Sequence, residues 1–265
     1  MPNERLRTTI AESDYDERSL AEELGLDHKS VQRWITRDIT PRRTTAYRAA
    51  KILGVSPAWL WPELEAERES VSQAEIVTLY PHRSDVPRHL WLNLLESATQ
   101  RIWLHANASL FLPEDNPESI GIIRQKAENG TQVRILMADP DSPQCITRGI
   151  EERLFDAIPA RVRMALSYYA PLAGVSGVEF LLHKETLYNS IFVYDDEMLV
   201  NQHVYGMYGY MAPILHLRRM EGGDFFDMYT RSFERVQEVS LPIERSNFWR
   251  QRAEAISAAV ANAST

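Results

Sequence analysis

Residues 182–206, LHKETLYNSIFVYDDEMLVNQHVYG, gather His183, Lys184, Asp195 and His203 into one short stretch. An imidazole, an ammonium and a carboxylate close together are groups that could form the active site of a hydrolase. The elements that must position them are legible around them. GVEFLLHK, NSIFVYDD and EMLVNQHV read as three strands, with Asp195–Asp196 at a hairpin turn, where aspartates usually serve the backbone. Adjacent side chains of a strand point to opposite faces, so His183 and Lys184 cannot address one phosphate together.

Other residues offer less. Tyr205, Tyr208, Tyr210, Met207 and Met211 are interleaved with glycines and suit either a small-molecule cavity or a packed loop or dimer contact. His183, His203, Tyr205 and Tyr208 are the candidate pocket residues. His82, His89, His105, His203 and His216 lack the short fixed spacings of a zinc site, and the single Cys145 has no cysteine partner. No metal and no cofactor are expected.

The strongest signal lies earlier. In SLAEELGLDHKSVQRWITRDITPRR, Leu20, Ala21 and Leu24 form the inner face of a short helix. Gly25 allows a tight turn and Asp27 is placed to cap the next helix. There Val31, Trp34 and Ile35 make one apolar stripe, leaving His28, Lys29, Ser30, Gln32, Arg33 and Arg37 on the other face. Ala46, Ala49, Ala50 and Leu53 of a later helix close the core, and Trp59 and Trp61 are expected to pack at its end. Between His28 and Lys51 stand seven basic residues (Lys29, Arg33, Arg37, Arg42, Arg43, Arg48 and Lys51) against Asp38 alone, within a chain of net charge -8. Long donors on one helix face suit the major groove, and the surrounding arginines suit phosphates.

Length and composition set the frame. The 265 residues allow a small domain joined to a medium one; 44% apolar and 25% charged residues are ordinary for soluble proteins. No apolar core of a signal peptide and no run of membrane-spanning length is seen, which leads to the expectation of a cytoplasmic protein without membrane partners. A helix-turn-helix domain is expected over 1–66, a charged linker over 67–75 and an α/β domain over 76–265. In the last, IVTLY and TQVRILMADP read as strands and RHLWLNLLESAT and PESIGIIRQKAENG as helices, Gly130 standing at a helix end. RIWLHANASLFL reads as one strand, 145–170 as helix broken at Pro159, and DFFDMYTRSFERVQEV as a final helix. Strands alternating with helices indicate a multi-domain chain whose second part is an α/β layer.

LAEELGLDHKSVQRWI, followed by ITPRRTTAYRAAKILGVSPAWLWP, resembles the lambda-repressor/Cro-like (XRE) helix-turn-helix family of actinobacterial type, over roughly residues 17–63. The resemblance implies a recognition helix at Lys29–Thr36. Its base-facing residues would be His28, Lys29, Ser30, Gln32 and Arg33, with Arg37, Arg42 and Arg43 on phosphates and Trp34 in the core.

IIRQKAENGTQVRILMADPD resembles the opening β-α-β unit of phospholipase D-like domains, which implies a mixed sheet flanked by helices. That superfamily carries H-x-K, four residues, then D, with a G-S-x-N-like segment beyond. With Asp195 on the motif's aspartate, Tyr188 takes the histidine position and Ser190 the lysine position, while Gln202–His203 replaces the small pair. No second H-x-K occurs in the chain. The resemblance therefore implies a scaffold without its nucleophile and cation, catalytically inactive, and a homodimer paired across the old catalytic face. The expected function is that of a sequence-specific DNA-binding regulator. Its partners would be a double-stranded operator, a second copy, and a small-molecule or protein effector. The alternative is a DNA-targeted phosphodiesterase or nuclease with a non-standard site.

Overall fold

The structure, a computed structural model, describes residues 2–251 and 254. The described residues form two compact units, one up to Ala74 together with Met220–Asp224, the other Glu75–Arg219 together with the residues from Phe225 onward.

The first unit holds helices α1 (Glu4–Ala11), α2 (Glu17–Leu24), α3 (His28–Arg37), α4 (Arg43–Ile52), α5 (Pro57–Leu60) and α6 (Glu63–Ala74). Local chemistry sets their ends. Asp16 and Ser19 form a reciprocal capping box on α2, and Gly25 closes it at φ 71°, a left-handed position that costs glycine little. The Asp27 carboxylate accepts from the Lys29 amide at 2.8 Å and starts α3. Leu20, Ala21, Leu24, Val31, Trp34, Ile35, Ala46, Ala49 and Ala50 are all buried together, as the apolar spacing requires. Helix α1 completes this core from outside the stretch, 17–63, that carries the helix-turn-helix resemblance. Its Leu6 and Ile10 lie one turn apart and are buried, and Asn3 both caps it at the Leu6 amide and donates to the Leu60 carbonyl. Trp61 is fully buried, edge-on to Trp34 at 6.0 Å. Trp59 corrects the expectation of packing: it is 53% exposed, with the Arg5 guanidinium over its ring. A single turn such as α5 can turn only Leu60 and the following Trp61 inward. The stretch 67–75 expected to connect the domains is carried as helix α6 as far as Ala74, in keeping with its Glu- and Ala-rich composition.

The second unit is an α/β layer. In chain order it comprises β1 (Ile76–Tyr80), α7 (Arg88–Ser97), β2 (Arg101–His105), α8 (Phe111–Asp115), α9 (Ser119–Glu128), β3 (Gln132–Ala138), α10 (Pro143–Glu151) and α11 (Ala157–Tyr169). It continues with β4 (Val178–His183), β5 (Asn189–Tyr194), β6 (Glu197–Gln202), β7 (Ile214–Arg218), α12 (Phe225–Glu238) and β8 (Leu241–Pro242). The sheet runs β1-β7-β6-β5-β2-β3-β4-β8, parallel through β2, β3 and β4 and antiparallel elsewhere. Alternate residues feed two cores. Ile102, Leu104, Val133, Ile135 and Phe192 face α7, α9 and α11 through Trp91, Leu95, Ile123, Val162 and Leu166. Trp103, Leu136, Leu181, Ile191 and Val193 face α12, where Phe233 stacks on Trp103 at 4.9 Å. Each such buried large side chain contributes roughly 1.5–3 kcal/mol. Strands buried on both faces read as continuous apolar runs, which is why RILMA and IFVY are so legible.

Two local readings are corrected. RIWLHANASLFL is a strand only to His105; Ser109 takes φ 49°, and α8 follows. The expected break at Pro159 lies upstream at Arg153–Asp156, with Arg153 and Phe155 at positive φ, while Pro159 sits in the first turn of α11, where its missing N–H is harmless. The reversal packs on Gly149, whose carbonyl accepts from the amides of Leu154 and Phe155. A Cβ there would meet the Phe155 carbonyl oxygen at 2.1 Å. Strands β7 and β8 were not anticipated.

Candidate functional site

In the first unit, burial of Val31, Trp34 and Ile35 fixes the rotation of α3 and leaves His28, Lys29, Gln32, Arg33 and Arg37 exposed, with Ser30 half-buried beside them. The Arg33 guanidinium folds back on its own helix, donating to the Lys29 carbonyl at 3.2 Å and to the Ser30 hydroxyl at 3.4 Å. Arg42, immediately before α4, is exposed, and Arg43 lies against the Tyr47 ring. Ser30, Arg33 and Arg42 line one surface groove beside Trp34 and Pro41. Cationic and amide donors on a helix held rigid from beneath can reach base edges, and the flanking arginines can neutralise phosphates.

In the second unit, the residues that sequence places near one another separate. Tyr188, just ahead of β5, is 80% exposed. Ser190 is buried near the start of β5, opposite Asn201 of β6. Asp195 follows the far end of the same strand, about 16 Å away at the rise of an extended chain. It occupies the hairpin turn at φ 53°, and its carboxylate accepts from the amides of Thr99, Gln100 and Arg101 at 2.8 Å and from the Thr99 hydroxyl. Burial would raise its pKa, but the Arg101, Thr99 and Gln100 donors outweigh that and hold it below the ordinary value. Asp195 ties the β5–β6 turn to the start of β2.

A cavity of about 70 Å³ opens where β5 and β6 begin and end, lined by Ser190, Asn201, His203, Arg83, Arg161 and Tyr208 among others. Alternation puts Asn201 and His203 on the same side of the chain. His203 Nδ1 lies 3.1 Å from the Leu187 carbonyl, which can only accept, so Nδ1 carries the proton. Nε2 is then the acceptor, and the Ser190 hydroxyl 3.1 Å away donates to it. Burial, followed by the cationic Arg148 and Arg83, pushes the His203 pKa down to about 4, so the ring is neutral at pH 7. Glu152 also borders the cavity, with its side chain paired to Arg148 at 2.6 Å. Its pKa is raised by burial, which the arginine only partly offsets.

Of the four candidate pocket residues, His203 and Tyr208 line this cavity and His183 and Tyr205 do not. Tyr205 is 82% exposed. His183 is buried on the α12 side of the sheet, edge-on to His105 at 5.5 Å, where burial drives its pKa down to about 4. Lys184 pairs with Asp139 at 3.7 Å. Arg83, Arg161 and Asn201 were missed in the sequence. They come from the β1–α7 loop, α11 and β6, and no spacing pattern links them. Among the described residues, no group of three or more His, Cys, Asp or Glu side chains is placed to hold a metal ion. No described helix is long and apolar enough to cross a membrane.

Residues 6–60 match the helix-turn-helix family model HTH_3, so the first unit holds a helix-turn-helix domain, its match taking in most of α1. No curated protein matches the chain. Among solved structures, similarity is found to TrmBL2, an archaeal chromatin protein described as showing a novel mode of DNA binding, with 14% identity, 81% of this chain and 70% of that chain covered, and TM-score 0.41. Nuc from Salmonella typhimurium, a phospholipase D family member, is 10% identical, with 58% of this chain and 89% of that one covered and TM-score 0.36. NucT from Helicobacter pylori is 11% identical, with 63% and 98% covered and TM-score 0.40.

Proposed function

We propose that this chain is a sequence-specific transcriptional regulator that binds a double-stranded DNA operator as a homodimer. Its second unit would be a catalytically silent phospholipase D-like domain that joins two copies and receives an effector. The observation that carries the reading is the solvent face of α3, where His28, Lys29, Gln32, Arg33 and Arg37 stand on a helix anchored by Val31, Trp34 and Ile35. Ser30, Arg42 and Arg43 extend that face. A dimer supplies what one such helix lacks, since two linked modules reading adjacent half-sites gain affinity through effective concentration.

Exposed apolar side chains support pairing through the second unit. Ile146 and Ile150 of α10, Phe155, and Tyr188 and Tyr205 are all solvent-facing. Gly206 brings the loop that carries Tyr205 to within 3.8 Å of the Glu151 carbonyl, as measured from a built Cβ, so α10 and this loop are neighbours. Where such side chains form one contiguous patch, the patch marks an interface. Silence in catalysis is supported by the motif positions: Tyr188 points to solvent, Ser190 donates to His203, and Asp195 serves the backbone.

The test is a comparison of full-length protein with residues 1–74 by light scattering and by gel shift on operators selected from random DNA. The full chain is expected to be a dimer and to bind more than about tenfold tighter than the isolated unit. A monomer that binds as well as its first unit alone contradicts the reading.

A further inference from the structure

The cavity at Ser190 is small, walled by polar side chains and cationic. Arg83 and Arg161 reach it from different elements, and among the described residues neither has a carboxylate within ion-pair distance. The nearby acid Glu152 is already paired with Arg148. Arg83 is held by one face on the Phe111 ring, 4.3 Å from its centroid, and Arg161 lies over Tyr208 at 5.4 Å. The Tyr208 side chain also hydrogen-bonds Arg83, and a ring on one face of a guanidinium leaves its other edge donors open to a further acceptor. Burial depresses the Arg83 pKa, opposed by Tyr208 and reinforced by Arg161, and Asp115 attracts it only from a distance. Glu152 is the one carboxylate among the lining residues and attracts both guanidiniums, but its ion pair is with Arg148, so three arginines share that acid and a further anion there would be stabilised.

The volume limits the anion. At about 70 Å³ the cavity has room for a small anion such as one tetrahedral group. A planar carboxylate satisfies one guanidinium fork, whereas a tetrahedral dianion can accept from two forks arriving from different sides. A diester would need room for two substituents. The remaining wall is consistent: His203 is held as a neutral ring, and Asn201 gives its amide protons to the carbonyls of Ala212 and Pro213.

We infer that this cavity binds one phosphate-sized oxyanion, either inorganic phosphate or the terminal phosphoryl group of a phosphomonoester, through Arg83 and Arg161. This rests on the reading of the second unit as an effector-binding domain, and supplies the chemical class of the effector. The site binds and does not turn over its ligand, because the Ser190 hydroxyl is committed to a weakly basic imidazole.

The test is calorimetric titration of the full chain with inorganic phosphate, phenyl phosphate, acetate and a dinucleotide diester at constant ionic strength. Saturable binding of phosphate or phenyl phosphate is expected, one per chain, with acetate and the diester silent. Phosphate alone binding points to the free ion as the source; phenyl phosphate binding more tightly points to a monoester. Arg83→Gln and Arg161→Gln should each weaken binding by about tenfold or more. Gly209→Leu provides a variant that removes no charge. A Cβ at Gly209 meets only Asn201 Oδ1 at 3.6 Å and Arg83 Nη1 at 3.9 Å, so a longer side chain grows into the cavity and should abolish binding with melting temperature retained. If Arg83→Gln unfolds the domain, Arg161→Gln and Gly209→Leu decide. Absence of saturable phosphate or phenyl phosphate binding, tighter binding of the diester, release of phenol, or wild-type affinity in Arg161→Gln each overturns the inference. Gel shifts on the same samples separate the two claims. DNA binding without phosphate binding removes the site alone, and phosphate binding without DNA binding removes the regulator alone.

Discussion

The hydroxyl of Ser190 lies 3.1 Å from Nε2 of His203, across the cavity end of the β5–β6 hairpin. In another setting this would be a nucleophile beside its base. Here burial and two arginines drive the imidazole pKa to about 4, and the pair acts as a neutral hydrogen-bonded brace. The titration of His203 should therefore show a midpoint near 4 by NMR, with the proton on Nδ1 at pH 7. A midpoint near 6.5 would mean that the ring is solvated and the brace is absent. Ser190→Ala should cost about 1 kcal/mol, the scale of one net hydrogen bond.

Acid should weaken the second unit through its buried histidines. His183 has a folded pKa of about 4 because it is buried, against an ordinary 6.5. The unfolded chain thus takes up the proton first as pH falls. Stability is complete above about pH 6.5 and is lost progressively toward pH 4, by roughly 3 kcal/mol for one such ring. Urea unfolding between pH 7 and pH 4 measures this, and His183→Gln should lessen the slope without removing it, because burial lowers His105 and His203 as well.

Asp195 is expected to matter for folding and not for any turnover. Its carboxylate gathers three amides and one hydroxyl, so Asp195→Ala should destabilise the domain by about 2–4 kcal/mol in urea unfolding. Its folded pKa is depressed, so this contribution is present above about pH 4 and falls away as pH drops through the folded value. A variant as stable as wild type would remove the structural role.

On the first unit, Arg33→Ala and Arg42→Ala separate two kinds of contact. Loss of Arg42 should weaken binding to all DNA sequences alike and lower the salt slope by about one, while loss of Arg33 should relax preference at one base position. Binding assays on operator and random duplex over a range of salt distinguish them. Trp34→Ala should instead unfold the unit, at a cost of about 3–5 kcal/mol, because its ring is buried against Trp61.

Gly149→Ala is the smallest change expected to be felt strongly. The added methyl would overlap the Phe155 carbonyl oxygen, so the α10–α11 reversal must shift, costing about 1–3 kcal/mol in thermal or urea unfolding.

Helix α3 was legible because it is a local object. A cap at Asp27, a stripe at Val31, Trp34 and Ile35, and a basic remainder are all settled by spacing within one helix, and the same residues are buried and exposed in the structure. The central strands were legible for a related reason, since burial on both faces writes itself as an apolar run. Helix α1 escaped because Leu6 and Ile10 are only two apolar positions, and their partner Leu60 lies far along the chain. Trp59 was misjudged because a ring's hydrophobicity does not say which way a one-turn helix points.

The sequence by itself determined the two kinds of unit and the face of α3. Only the tertiary structure decided which polar residues share a cavity. Arg83, Arg161 and His203 stand far apart in the chain, and meet because a loop, a helix and a strand converge at one end of the sheet. His183 and Asp195, close to His203 in sequence, are parted from it because strand alternation and strand length carry neighbours to opposite faces and opposite ends.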